Sequence, residues 1–137
     1  MAALSITAGS VVKGTGAKTT TGIAGASITA GQVVYLDSAT QKYQLCDADS
    51  GTAAARTAAG IALHAAAANQ PLTVQTSGQI TIGATVAPGV AYFTSATAGG
   101  VAPVADNTTG VYPTFLGFGI STTVIALDFV EAGVAVG

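Results

Sequence analysis

Glycine and threonine interrupt this 137-residue chain every few positions, and the runs between them are short and rich in β-branched residues. A helix of ordinary length does not survive such punctuation, whereas short strands joined by turns do. The pattern predicts strands over residues 32–37, 42–46, 60–65, 72–76, 79–82, 90–94, 114–120 and 124–129. Residues 72–76 and 79–82 alternate apolar and polar side chains, the period of a strand with one buried face. Ser77-Gly78 between them reads as a turn. The alanine-rich stretch after Thr52 favours helix locally, but Gly60 cuts it and leaves a short helical turn near residues 53–56.

The punctuation repeats. Ser5-Ile-Thr-Ala-Gly-Ser-Val-Val12 recurs as Ser27-Ile-Thr-Ala-Gly-Gln-Val-Val34, with one position changed. On a longer scale, Tyr35-Leu-Asp-Ser-Ala-Thr40 corresponds to Tyr92-Phe-Thr-Ser-Ala-Thr97, and Gly60-Ile-Ala-Leu63 to Gly117-Phe-Gly-Ile120, both at an offset of 57. Ile28-Thr-Ala-Gly31 has its counterpart in Val86-Ala-Pro-Gly89. A shared offset for separate blocks indicates a doubled unit, about residues 28–78 and 86–133. The expected fold is all-β: a small antiparallel β-sandwich or barrel, jelly-roll or β-tulip-like, built from two similar halves within one domain over residues 25–137. Residues 1–24 carry few side chains able to fill a core and read as an extended N-terminal arm. Lys13, Lys18, Thr19, Thr20 and Thr21 in that arm are the candidate contacts to a partner.

Composition bears on function. Charged residues make up 7% of the chain, against roughly 25% in an average globular protein. So neutral a surface either packs against copies of itself or another protein, or is kept in solution by hydroxyls and amides. Lys13, Lys18, Lys42 and Arg56 are the only cations and the net charge is −2, too little positive charge to neutralise several phosphates on one face. No direct nucleic-acid partner is expected. No apolar run approaches the length of a membrane span, and Met1-Ala-Ala-Leu-Ser5 lacks the charged start and apolar centre of a signal peptide. The chain is expected to be made in the cytosol and to stay soluble unless a partner takes it elsewhere.

Chemistry-bearing residues are sparse. His64 stands in an apolar run without the nucleophile or carboxylate partner that catalysis needs. Asp47-Ala-Asp-Ser-Gly51 opens like a calcium loop but lacks the closing glutamate, so it reads as a turn. Gly14-Thr-Gly-Ala-Lys-Thr19 has Ala17 where a phosphate-binding loop has glycine before lysine. One cysteine, Cys46, and one histidine cannot form a zinc site. The residues point to no catalytic site, metal or cofactor.

The succession Ile28-Thr-Ala-Gly-Gln-Val-Val-Tyr-Leu-Asp-Ser38, Ala59-Gly-Ile-Ala-Leu63, Val74-Gln-Thr-Ser-Gly-Gln-Ile80 and the shorter second copy resembles the capsid decoration (cement) proteins of tailed bacteriophages. The likeness covers about residues 5–133. It implies a homodimer or homotrimer on the outer surface of an icosahedral shell, bridging major capsid subunits and stabilising the expanded capsid, with no catalytic residues. The alternative expectation is a surface-displayed carbohydrate- or receptor-binding module using Tyr43, Tyr92 and Tyr112 as platforms.

Overall fold

The structure, a computed structural model, describes residues 4, 6–47, 53–95, 98–103 and 114–131. Ten strands account for about half of it: β1 (Val11–Lys13), β2 (Lys18–Ala24), β3 (Val33–Asp37), β4 (Lys42–Leu45), β5 (Gly60–Ala62), β6 (Pro71–Ile82), β7 (Ala91–Thr94), β8 (Val101–Pro103), β9 (Thr114–Gly119) and β10 (Val124–Glu131). Single 3-10 turns occupy Ala8–Ser10 and Ala53–Arg56. The protein is all-β. No helix among the described residues is long and apolar enough to cross a membrane.

β6 is the spine. β1 and then β2 run antiparallel to it, from Val11 opposite Ile82 to Ile23 opposite Pro71. β5 and β10 pair with its other partner positions, Val74–Gln75 and Gly78–Thr81. Here the structure corrects two sequence expectations. Ser77-Gly78 does not reverse the chain: Gly78 takes φ +87° and makes a bulge, so residues 72–76 and 79–82 belong to one twelve-residue strand. Four residues, 14–17, face two on β6 between Lys13–Ile80 and Lys18–Ser77. Gln75, fully buried, donates from Nε2 to the carbonyls of Ser77 (3.1 Å) and Gln79 (2.7 Å), tying the bulge across its base. Nor are the described residues of 1–24 a detached arm. A Thr-rich strand with little to add to a core still contributes a full ladder of backbone hydrogen bonds, and β6 supplies the partner.

The pairings close a ring: β2–β4–β3–β5–β6 and back to β2. All its contacts are antiparallel except β2–β4, which is parallel. The second half forms the sheet β6–β10–β9–β7–β8, with β1 on β6. Leu4 N–H donates to the Val101 carbonyl of β8 (2.7 Å) and Thr7 N–H to that of Gly83 after β6 (2.8 Å), so the N-terminal segment bridges this sheet's two ends.

The strand order β4–β3–β5–β6 recurs as β8–β7–β9–β10. Backbone hydrogen bonds recur with it. Gly31 N–H donates to Ala62 O, and Ala62 N–H to Gln32 O; in the second half Gly89 N–H donates to Gly119 O, and Gly119 N–H to Val90 O. The turn ahead of each unit carries an i to i+3 bond, from Gln32 N–H to Thr29 O and from Val90 N–H to Ala87 O. Ser5–Val12, the near-copy of 27–34, makes the same bond from Ser10 to Thr7 and leads into β1.

Two apolar clusters follow from strand alternation. Val34, Tyr43, Ala62, Leu72 and Val74 fill the ring. Val33, Ile61, Ile80, Leu116 and Ile125 belong to the larger cluster beneath the second sheet. Neighbouring residues on β3 and on β5 point into different clusters, which is why Val33, Val34, Ile61 and Ala62 are all fully buried. Thr114 links the halves: its N–H donates to Thr94 Oγ1 (2.8 Å) and its hydroxyl to the Arg56 carbonyl (2.8 Å).

Candidate interaction surfaces

The predicted contact residues gather along one line of the molecule. Lys13 ends β1, and Lys18, Thr19, Thr20 and Thr21 begin β2; all five are exposed. Four consecutive exposed residues in a paired strand mean that both of its faces meet solvent. Backbone direction adds a second property. Thr73 turns its carbonyl to Leu63 N–H and its N–H to His64 Nε2, so its neighbours Leu72 and Val74 turn their backbone groups to β2. These lie opposite Gly22 and Thr20. Thr19 and Thr21 therefore direct their N–H and C=O away from β6. β4 meets β2 only at Ile23 and Ala24, so among the described residues the edge at Thr19 and Thr21 has no strand partner. The side chains on the exposed face are tied down: Thr21 Oγ1 lies 3.1 Å from Thr73 Oγ1.

The outer face of the second sheet is a different surface, which the sequence reading missed. Antiparallel sheets with one face on a core normally turn polar side chains outward. Here one cross-strand row reads Val12, Thr81, Val124, Ile120 and the next Gln79, Ala126, Phe118, Ala91, from the registers of β1, β6, β10, β9 and β7. Val12 is 56% exposed, Phe118 51% and Ile120 47%. Phe118, Phe115 and Phe93 meet edge to face across β9 and β7, with centroids 5.0 and 5.5 Å apart, a favoured geometry for aromatic rings. β9 and β10 are apolar on both alternations, so no period-two signal marks this face in the sequence, and the register shifts at Leu116 and between Leu127 and Val130.

Several other polar side chains make contacts that shape the fold. His64 Nε2 accepts from Thr73 N–H (3.0 Å), which places the ring proton on Nδ1, beside the Ala65 carbonyl at 2.9 Å. The ring thus caps the start of β6. Asp37 Oδ1 accepts from Ala39 N–H (3.0 Å) and shapes the β3–β4 turn. Gly14 to Ala17 lead into a strand, not a helix. Asp49, Ser50 and Gly51 of the calcium-like stretch, and Tyr112, lie outside the described residues. Tyr43 and Tyr92 are buried: each fills a core, and Tyr92 also accepts the Ala87 N–H through its hydroxyl (2.9 Å). A cleft of about 360 Å³ is lined by Thr7, Ser10, Thr81, Thr85 and Thr123 with Gly83 and Ala84, hydroxyls without a charged group. No cluster of three His, Cys, Asp or Glu side chains exists among the described residues.

Cys46 is fully buried, and burial, seconded by the charge of Asp47, pushes its thiol up to about 12. The thiolate is the reactive form, so native protein should leave Cys46 unmodified by a thiol reagent at neutral pH, with one thiol per chain appearing in denaturant. The same shift makes stability fall in alkali. The neutral thiol is favoured in the folded state, so its contribution is complete below the ordinary value of 9.0. It is lost as the pH rises from there towards about 12, at roughly 1.4 kcal/mol per pH unit. Cys46→Ala should flatten a plot of Tm against pH between about 9 and 11. Burial raises the Tyr43 phenol too, so part of the slope should remain. An unchanged slope in the variant would refute the assignment.

No family model, curated protein or solved structure matches this chain.

Proposed function

We propose that this protein decorates the outer surface of an icosahedral bacteriophage shell, where it bridges subunits of the major capsid protein and stabilises the expanded particle. The partner's identity rests on the resemblance of the repeated motifs to decoration proteins. The structural observation that carries the reading is the open edge of β2 at Thr19 and Thr21, preceded by Lys18 in the same strand and by Lys13 at the end of β1. An exposed edge strand is a template for another chain's strand, and proteins that do not use such edges blunt them. Thr19, Thr20 and Thr21 are β-branched strand formers. A segment of capsid protein added here gains main-chain hydrogen bonds without needing charge complementarity. Many such weak contacts, each copy joining two subunits, sum to a large stabilisation of the shell.

Purified protein should bind the expanded shell of its cognate capsid protein stoichiometrically and raise the shell's melting temperature. Thr21→Pro is the sharper test. Its N–H points away from β6, so proline removes an outward donor without breaking the ladder, a position where strands tolerate it. The variant should keep its fold and lose at least tenfold in shell affinity. Wild-type binding by a folded Thr21→Pro protein would remove the β2 edge from the contact, and failure of the wild-type protein to bind any shell would remove the function. The carbohydrate- or receptor-binding alternative gains nothing from Tyr43 and Tyr92, whose rings are buried.

A further inference from the structure

We propose that the open edge of β2 takes an extended acidic segment of its partner, about five residues long, with a carboxylate near either end. This rests on the reading of that edge as a docking site and adds the chemistry of what docks. Length follows from the neighbours. The bulge at residues 14–17 precedes Lys18, and β4 takes up the edge at Ile23 and Ala24. Residues 18–22 are left, about 17 Å of strand. Within them Thr19 and Thr21 each turn an N–H and a C=O outward, and these are the main-chain bonds that an added strand can make.

Charge selects the segment. Lys18 begins the open stretch, and Lys42, the first residue of β4, stands beside Ile23 just past its other end. Lys13 closes β1 on the Lys18 side. Three of the chain's four basic residues thus border one edge. The acids among the described residues are Asp37, Asp47, Asp128 and Glu131, and neither β1 nor β2 carries one. Asp37 faces Lys42 across the β3–β4 pair, but its Oδ1 is taken by Ala39 N–H. Lys42 Nζ donates to Asn69 Oδ1 (2.6 Å), whereas Lys13 and Lys18 are exposed. Lysines on an edge repel another edge of the same kind, so two β2 edges laid side by side would bring like charges together. A strand with a carboxylate at either end meets a cation instead. The main-chain bonds hold whatever strand enters, and the lysines choose among strands.

Capped peptides test this without a shell. Acetyl-Glu-Thr-Val-Thr-Glu-amide and acetyl-Gln-Thr-Val-Thr-Gln-amide differ only in charge, and each has the same residue order in either strand direction. Titrated into nitrogen-15-labelled protein at low salt, the glutamate peptide should shift the Thr19 and Thr21 amide signals. It should bind at least about threefold more tightly than the glutamine peptide, as exposed ion pairs allow. About 0.5 M NaCl should erase that preference, Lys18→Gln should reduce it, and Thr21→Pro should abolish binding of both peptides. Equal binding of the two would keep the edge as a docking site and overturn the acidic segment. Binding of neither at about 10 mM peptide would overturn the inference and withdraw the edge from the proposed function too, since a lysine edge that accepts no strand is a blunted one. Shifts confined to residues away from β2 would also overturn it. Failure to bind shells with the glutamate preference intact would remove the capsid as partner and leave the preference of the edge standing.

Discussion

Deletion of residues 1–24 should abolish cooperative folding, not merely trim an arm. These residues include β1 and β2, which line one whole edge of β6 and supply the strand that closes the ring. Their loss also removes the bridges from Leu4 to Val101 and from Thr7 to Gly83. Leu72, Val74, Ile80 and Ile82 on β6 have no exposed surface in the intact protein, and the deletion opens their side to water. At about 1.5–3 kcal/mol for each side chain, the loss is about 6–12 kcal/mol. That is as large as the entire stability of a typical domain, about 5–15 kcal/mol. The unpaired β6 edge would in addition recruit other chains. The truncated protein should therefore show no sharp thermal transition and should aggregate when expressed. A truncated chain with a native circular dichroism spectrum and a cooperative melt would show that the ring does not need β2.

Gly78→Ala should lower Tm by roughly 10–20 °C. The left-handed backbone at φ +87° costs an alanine about 1–2 kcal/mol. A Cβ there would also fall on the carbonyl of Gly16 and lie 2.7 Å from Ala17 Cα. Both are backbone atoms of the facing bulge and cannot rotate away. Displacing them adds about 1–3 kcal/mol, and for a chain of this size each kcal/mol moves Tm by roughly 3–5 °C. Gly89→Ala is the control. Its φ is +81°, but nothing lies within 4 Å of the added Cβ, so it bears the conformational cost alone and should lose roughly 5 °C. Equal losses for the two variants would show that the close approach at the bulge contributes nothing.

These two results bear on what was legible in the chain. Every strand predicted from glycine and threonine spacing lies within or overlaps an observed strand, and the helical turn appears at Ala53–Arg56. The offset of 57 between blocks corresponds to a strand order that occurs twice. The misses have one cause. β1 and β2 were read as an arm because Lys18, Thr19, Thr20 and Thr21 offer nothing to a core, yet their contribution is a backbone ladder whose partner lies about fifty residues away in sequence. β8, at Val101–Pro103, escaped notice for its brevity and its proline. Ser77-Gly78 carries the composition of a turn, and a bulge uses the same residues. The candidate contact residues are all exposed. That Thr19 and Thr21 also present an open backbone edge follows only from the pairing of Leu72 and Val74.

The sequence by itself determined that this chain makes short strands in a doubled unit, because turn residues and period-two alternation act locally. Tertiary structure alone decided that 11–24 forms part of the wall and that β6 runs unbroken. It also decided that Val33, Val34, Ile61 and Ala62 are buried although neighbours in a strand face opposite ways, and that Phe118 is not buried. Each of these depends on which strand lies beside which. Backbone hydrogen bonds are chemically alike at every residue, so the choice of partner is made by the packing of the whole chain.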